Sequence, residues 1–125
     1  MRRMLKSKIH RATVTHADIE YEGSLSIDRE LMQKADIVPF EEVHVWNISN
    51  GSRLTTYAIE APAGTGIICA NGAAAHLVNV GDQVIIATFS GMQQVDENYQ
   101  PIVVMVDKDN RPTAVRLELA GPHAA

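Results

Sequence analysis

The sequence predicts a mainly β fold with a few short helices. Apolar residues mostly alternate with polar ones or form short β-branched runs, as at residues 84–89 and 102–106. Both patterns are typical of strands, and the continuous runs indicate strands that are buried on both faces. Many short strands in a chain of 125 residues favour a closed or nearly closed β-barrel, because closure removes the free edges of the sheet.

We predict about seven strands and the turns between them. Asn50-Gly51, between the second and third strands, is the strongest short signal for a hairpin, because both residues tolerate positive φ. Residues 64–66, 80–82 and 109–110 are predicted as further turns. The predicted strands lie at residues 9–15, 43–48, 54–59, 67–68, 84–89, 102–106 and 114–119.

Two short helices are predicted. Asp28 can cap a helix over residues 29–35, with Leu31 and Met32 facing inward, because an Asp side chain accepts from the free N–H groups of a first turn. Residues 71–77 form the second, with Asn71 as its cap. The segments around these two helices carry no other helical periodicity.

Length and charge limit the class of protein. A chain of 125 residues predicts one domain. With 15 acidic against 11 basic residues and 5% aromatics, it is a poor candidate for nucleic-acid binding, which needs a basic surface. Its longest apolar runs are far shorter than the ~20 residues of a membrane helix. Lysines interrupt the basic N-terminus before any apolar stretch, so no signal peptide is predicted and the default location is the cytoplasm.

The histidines and the single cysteine predict no metal site and no disulfide. Cys69 lies in an apolar run, where a free cysteine usually behaves as a small buried hydrophobe, so a catalytic thiol is not favoured. The histidines lack the spacing of metal ligands. They are His10, His16, His44, His76 and His123.

Four segments carry a resemblance to a known family. They read KIHRATVTHAD at residues 8–18, YEGS at 21–24, WNISNGSRLTTYAI at 46–59 and NGAAAH at 71–76. Together and in this order they resemble pyruvoyl-dependent aspartate α-decarboxylases, from about Met4 to about Phe89 and more loosely beyond. The resemblance implies a double-psi β-barrel, a homotetramer and active sites between subunits.

Members of that family make their cofactor from their own backbone. The resemblance implies that this single domain, residues 1–125, cleaves itself between Gly23 and Ser24 into a β chain (1–23) and an α chain (24–125), and that Thr56 assists. Glycine at position 23 has no Cβ and could adopt the backbone conformation that the attack of Ser24 needs. Ser24 would become a pyruvoyl group, the electron sink that amino-acid decarboxylation requires.

The implied reaction is the decarboxylation of L-aspartate to β-alanine and carbon dioxide through a Schiff base, which feeds pantothenate and coenzyme A synthesis. Tyr57 is the expected proton donor, since a phenol is protonated at neutral pH. Arg53 is expected to grip one substrate carboxylate as a fork and Lys8 the other as a point charge. The remaining implied contacts are substrate binding by Thr56, Gly72, Ala73 and Ala74, and supporting roles for His10, Asn71 and Trp46.

Two other functions are compatible with a small barrel. A non-catalytic ligand-binding or assembly module would stay as one chain on a denaturing gel, whereas the lyase would give two fragments. A barrel for single-stranded nucleic acid would need a basic groove with stacked aromatics, which the acidic composition argues against. Cleavage could be spontaneous or assisted by a partner protein, and the sequence does not distinguish the two.

Overall fold

The computed structural model describes residues 1–120, and His123 lies outside them. Within these residues the chain forms nine strands, one α-helix and one short 3₁₀ helix, which confirms the mainly β class with few helices. The elements are β1 (Arg2–Thr13), β2 (His16–Asp18), β3 (Ser24–Asp28), α1 (Arg29–Lys34), β4 (Glu42–Asn47), β5 (Arg53–Ala61), β6 (Ile68–Asn71), the 3₁₀ helix (Gly72–His76), β7 (Gln83–Met92), β8 (Ile102–Val106) and β9 (Pro112–Leu117).

The strands hydrogen-bond in the order β2-β6-β3-β5-β4-β7-β1-β8-β9. Three neighbouring pairs are parallel, namely β1 with β8, β2 with β6 and β3 with β5. The other pairs are antiparallel. Parallel neighbours need connections that cross from one end of the sheet to the other. A mixed sheet with several such crossings agrees with the double-psi barrel that the family resemblance implies.

The core is built from the inward-facing residues of the strands and from one side of α1. Leu31 and Met32 of α1 are fully buried, as the sequence predicts, and α1 packs against β3 and β5. Large buried side chains such as these each stabilise the fold by roughly 1.5–3 kcal/mol. The strand residues that join them include Ile9, Leu25, Ile27, Val43, Val45, Ile68, Val84 and Ile86.

The predicted helix cap and turns are confirmed. Asp28 is the N-cap of α1, and its carboxylate accepts from the Glu30 N–H at 2.8 Å. Gly51 has φ +79° between the antiparallel strands β4 and β5, as expected of a hairpin turn. Gly64, Gly81 and Asn110 have φ values of +79°, +94° and +60° at the other three predicted turns.

Three predictions about the elements were wrong in detail. The sequence predicts about seven strands, but β2 and β3 were missed because they are short and contain polar residues. The first strand ends at Thr13 rather than Thr15. The second helix is a single 3₁₀ turn, and Asn71 stands at its N-cap position without making a side-chain cap hydrogen bond. The Asn71 carboxamide has other partners, which belong to the candidate site.

Candidate active site

The chain crosses over itself at the end of β6. Asp18 at the end of β2 and Ser24 at the start of β3 are both register partners of Asn71, on its two opposite sides. The intervening segment, residues 19–23, must therefore pass over the end of β6 to connect its two neighbours. The Gly23–Ser24 peptide bond, where the resemblance implies cleavage, lies at the end of this crossing.

Gly72 makes the close crossing possible. It has φ +60°, and a Cβ placed on it would lie 2.7 Å from the Gly23 nitrogen and 2.7 Å from the Tyr21 carbonyl oxygen. Real Cβ atoms do not approach backbone atoms this closely, and the left-handed conformation also disfavours other residues. A glycine is thus required at position 72 for two independent reasons.

Gly23 does not use the freedom of a glycine in this conformation. It is absent from the positive-φ residues of the described chain, and a Cβ built on it would meet only the Asn71 carbonyl oxygen, at 4.0 Å. An ordinary side chain would fit there in this conformation. That Gly23 adopts a special conformation for the attack of Ser24 stays a prediction, and the positive φ at the crossing belongs to Gly72.

The Ser24 hydroxyl is buried and held by Asn71. Ser24 is only 2% exposed and Asn71 3%, and Asn71 Nδ2 donates to Ser24 Oγ at 3.0 Å. The same nitrogen donates to Ser26 Oγ at 3.0 Å, and the Cys69 thiol donates to Asn71 Oδ1 at 3.1 Å. The carboxamide thus has a partner for each of its hydrogen-bonding ends, close to the implied nucleophile.

The strand register brings Tyr57 to the same place. Leu25 of β3 is opposite Ala58 of the parallel strand β5, so continuing the register by one residue places Tyr57 across from Ser24. Register partners share a face of the sheet, so Tyr57, Ser24 and Asn71 form a row across β5, β3 and β6. Tyr57 is 38% exposed, so the hydroxyl of this strand aromatic remains accessible.

A small cavity lies against the crossing. Its volume is about 250 Å³, which suits a small amino acid better than a large ligand. The Gly23 backbone, Thr56 and the small residues Ala73 and Ala74 contribute to its wall. The full lining is Gly23, Leu54, Thr55, Thr56, Ala73, Ala74 and Leu77.

Arg53 and Trp46 form a second feature, at the other end of β5. They are register partners in the β4–β5 pair, and the Arg53 guanidinium lies 5.1 Å from the centre of the Trp46 ring. A cation over an indole face is stabilised by the ring electrons. The exposed Arg53 is therefore presented in a preferred direction rather than left to move freely.

Lys8 and His10 lie on β1, away from the crossing. Three strand spacings along the sheet, about 14 Å, separate Lys8 from β5, in the order β1-β7-β4-β5. Lys8 Nζ forms an ion pair with Glu118 Oε2 at 2.5 Å. The structure therefore brings together Ser24, Thr56 and Tyr57 with the segment after β6, but it does not bring Lys8 to them within one chain.

His10 is electrostatically unusual. Its Nδ1 atom is buried without a hydrogen-bond partner in the described part of the chain. Burial lowers the pKa of His10 below its ordinary value, and the positive charges of Lys8, Arg11 and Arg116 lower it further, with Glu118 opposing them. The ring is therefore neutral at neutral pH and can accept a proton or hydrogen bond.

Sequence reasoning did not find every residue around Ser24. Ser26 was not singled out, and Cys69 was interpreted as a buried hydrophobe, whereas it is partly exposed and belongs to the polar contacts of Asn71. Their period-two spacing from Ser24 and Asn71 was the available signal, but it has meaning only once β3 and β6 are known to pair. Glu118, the partner of Lys8, carries no local signal at all.

The described residues contain neither a metal-binding cluster nor a helix that could span a membrane. Residues 1–120 contain no group of three or more His, Cys, Asp or Glu side chains arranged to hold a metal ion. Over the same range, every helix is too short or too polar to cross a bilayer.

Comparison with known proteins gives consistent matches over nearly the full length. A family model described as aspartate decarboxylase matches residues 1–113. An aspartate 1-decarboxylase of Myxococcus xanthus is 58% identical, over 98% of this chain and 96% of its own. The corresponding proteins of Syntrophotalea carbinolica and Syntrophobacter fumaroxidans are 54% and 52% identical, over 96% and 94% of this chain and 92% and 95% of theirs. A solved structure of a rationally designed protein is 19% identical, with a TM-score of 0.47, over 62% of this chain and 90% of that one.

Proposed function

The chain belongs to the aspartate decarboxylase family, and we propose that it converts L-aspartate into β-alanine and carbon dioxide with a pyruvoyl group made from its own Ser24. The observation that carries the proposal is the crossing at Gly72. Residues 21–23 pass so close to position 72 that only glycine fits there, and Asn71 holds the buried Ser24 hydroxyl beside this crossing.

Self-cleavage follows from the chemistry of Ser24. Its Oγ attacks the Gly23 carbonyl carbon, the C–N bond breaks, and the hydroxyl proton moves to the released Ser24 nitrogen, which leaves an ester. Loss of the Ser24 α-proton then breaks the Cβ–Oγ bond, which yields a Gly23 carboxylate and a dehydroalanine. Water adds to this residue and ammonia leaves. Hydrogen-bond donors placed beforehand around the attacked carbonyl stabilise the charge that develops on its oxygen.

The residues around Ser24 fit the group that results. Residue 24 begins β3 and pairs with Asn71 of β6, so the Asn71 Nδ2 donor that now contacts Oγ stays beside residue 24 after Oγ has left with Gly23. The 250 Å³ cavity begins at Gly23. The pyruvoyl ketone supplies the electron sink for loss of carbon dioxide. The rest of the reaction depends on side chains of this chain.

Tyr57 donates the proton that replaces the lost carboxylate at the substrate α-carbon. Its support is its place across from Ser24 in the β3–β5 register and its partial exposure. Thr56, the next residue, points to the other face of β5 and borders the cavity beside Gly23, which suits its implied part in cleavage and in substrate contact.

Arg53 and Lys8 bind the two carboxylates of aspartate. Arg53 is held over Trp46 and is free of any ion pair within the described residues, so its guanidinium can donate two hydrogen bonds to a substrate carboxylate. Lys8 lies three strands away from β5 and is paired with Glu118 within its own chain. We infer that the site takes Lys8 from a second copy, in line with the active sites between subunits that the family resemblance implies.

The segment after β6 completes the pocket. Ala73 and Ala74 line the cavity with small side chains, so substrate can approach their peptide groups closely, and Gly72 holds the start of this segment against Gly23. The neutral His10 beside Lys8 can accept a hydrogen bond from substrate or water. Trp46 serves as wall and as support for Arg53.

Assembly and location complete the proposal. We infer a homotetramer of about 55 kDa, four times 13.7 kDa. Exposed apolar side chains such as Phe40 at 76% and Val80 at 62% support it, because contacts between subunits would bury them. We also infer a cytoplasmic location. β-Alanine made there is available for pantothenate and coenzyme A synthesis.

Intact mass spectrometry tests the proposal. Purified protein should give two species divided after Gly23, and the larger should be lighter than a serine-initiated fragment by one molecule of ammonia. A Ser24→Ala variant should remain one chain and release no carbon dioxide from L-aspartate. A single uncleaved mass with full decarboxylation, or two fragments with serine kept at position 24, would contradict the pyruvoyl mechanism.

A further inference from the structure

Two of the side chains that contact Asn71 have no role in the reaction proposed above. Cys69 donates its thiol proton to Asn71 Oδ1, and Ser26 Oγ accepts from Asn71 Nδ2. We propose that Cys69 and Ser26 are positioning residues for self-cleavage, because together they fix the Asn71 carboxamide with its nitrogen toward the Ser24 hydroxyl. This inference rests on the proposed function and identifies what prepares its first step.

The orientation of the carboxamide decides what the Ser24 proton can do. With Nδ2 facing it, Ser24 Oγ is the acceptor at 3.0 Å, so its own proton points elsewhere and can leave as the oxygen attacks. A half-turn of the carboxamide would bring Oδ1 to the same place. Ser24 would then donate its proton to Asn71, and the oxygen would be tied to that proton in the resting state.

Cys69 favours the first orientation. Its S–H group gives Oδ1 a donor, whereas after a half-turn the amide nitrogen would face sulfur, which is only a weak acceptor. Burial raises the pKa of the Cys69 thiol, and the Asp18 carboxylate raises it further. The sulfur therefore keeps its proton at neutral pH and remains a donor.

Ser26 completes the contacts of the amide nitrogen. Ser24 is the register partner of Asn71 and Ser26 that of Cys69, so all four side chains project from one face of the β3–β6 pair. Nδ2 carries two N–H donors, and the two serines accept one each. Without Ser26 one donor of the buried Asn71 would lack a partner, which carries a cost in a buried site.

The two residues can be changed without disturbing the core. Ser26 and Cys69 line a wide, open cavity of about 720 Å³, which Ser24 itself does not border. Loss of one or two side-chain atoms at its wall leaves no closed void. A change in the cleavage rate of these variants can therefore be separated from a change in folding.

The experiment follows cleavage of freshly synthesised full-length chain by mass spectrometry. Cys69→Ala should slow the first-order rate roughly three- to tenfold, the effect of one modest hydrogen bond, and Ser26→Ala should do the same. Cys69→Ser keeps a donor at position 69 and should restore the rate in part, to between the Cys69→Ala and wild-type values, because a hydroxyl donates at least as well as a thiol but also accepts from a half-turned carboxamide. Rescue of this kind would not follow from a purely structural role.

Ser7→Ala is the matched control. Ser7 is buried and shares a 2.6 Å hydrogen bond with Thr88, so the variant loses a buried hydroxyl outside the Asn71 contacts and should cleave at the wild-type rate. Thermal midpoints of all variants identify any that fold poorly. If the wild-type chain cleaves, and Cys69→Ala and Ser26→Ala both cleave at the wild-type rate, this inference is overturned but the proposed function is not. Wild-type chain that never cleaves would overturn the proposed function and this inference with it.

Discussion

At the scale of single residues, the glycines of this chain separate into two kinds. Gly51 and Gly72 both have positive φ, at +79° and +60°. A Cβ on Gly51 would meet nothing within 4 Å, whereas one on Gly72 would collide with the backbone of residues 21–23. Both positions thus require a left-handed backbone, but only position 72 also lacks room for a Cβ. The two glycines therefore form a matched pair for mutation.

Gly72→Ala should therefore impair both folding and cleavage. The left-handed conformation alone costs about 1–2 kcal/mol for a residue with a Cβ, and the collision displaces the Gly23–Ser24 bond from Asn71. We expect cleavage to slow by more than tenfold in gel or mass assays. Gly51→Ala should be destabilised only by the cost of the left-handed conformation, as measured by denaturant unfolding, and should cleave normally. Equal cleavage by the two variants would show that the crossing is not important for the reaction.

Tyr57→Phe should separate cleavage from turnover. The ring stays in place beside Phe40, whose centre lies 6.5 Å away, so folding and self-cleavage should be unchanged. Loss of the proton donor should lower the turnover number by about 10²–10⁴, the usual contribution of general acid catalysis. Carbon dioxide release from labelled L-aspartate measures this. A cleaved variant with full turnover would remove Tyr57 from the mechanism.

Arg53→Ala should weaken substrate binding. A hydrogen bond between charged groups contributes about 1.5–3 kcal/mol, so the KM for L-aspartate should rise roughly 10- to 100-fold while cleavage of the chain is unaffected. Arg53→Lys keeps the positive charge but not the planar pair of donors, so its KM should lie between those of wild type and Arg53→Ala. Unchanged steady-state kinetics in the alanine variant would assign the guanidinium only to its contact with Trp46.

At the scale of elements, Asp28 connects three segments. Its Oδ1 accepts from the N–H groups of Glu30 at 2.8 Å and Gly64 at 3.0 Å, and its Oδ2 accepts from Gly66 at 2.8 Å. The side chain is 2% exposed. One carboxylate thus begins α1, ends β3 and holds the turn that leads into β6.

Asp28→Ala should destabilise the fold by about 2–5 kcal/mol, because it removes a helix cap and leaves buried N–H groups without an acceptor. Asp96 provides the comparison, since it makes a similar local contact with the Asn98 N–H at 2.7 Å on the exposed surface. Asp96→Ala should cost less than about 1 kcal/mol. Equal shifts in urea midpoint for the two variants would contradict this account of Asp28.

The predictability of the elements depends on whether their cause is local. The cap at Asp28 and the hairpin at Gly51 follow from neighbouring residues, and both were predicted from the sequence. The strand β2 exists because β6 lies beside it, and its three exposed residues carry no pattern of their own. The same applies to the site, where the resemblance identified Ser24 and Tyr57 but the contacts of Cys69 and Ser26 depend on strand register.

At the scale of the whole molecule, acid should destabilise the fold. Burial and nearby positive charges lower the pKa of folded His10 below its ordinary 6.5, so the unfolded chain binds that proton more tightly. The stability this provides is complete above about pH 6.5 and is lost as the pH falls through the folded pKa. The hydrogen bond from Lys8 lowers the pKa of Glu118 below 4.5. The folding stability that this provides is also lost on acidification, at lower pH than the part due to His10.

Urea unfolding at pH 7 and pH 5 measures the first part. The free energy of unfolding should fall between the two for wild type, and it should fall less for His10→Gln, which cannot take up the proton. Glu118 is ionised across this range and should not contribute. An equal fall in both proteins would assign the acid sensitivity to other groups.

The strand β1 has a consequence for the cleaved form that we propose. It hydrogen-bonds to β7 on one side and to β8 on the other, yet it belongs to residues 1–23. Two polypeptides then share one interior without any covalent link, and unfolding sets them free to diffuse apart. Renaturation then requires the two fragments to meet again, so melting of the processed form should depend more steeply on protein concentration than melting of the uncleaved precursor.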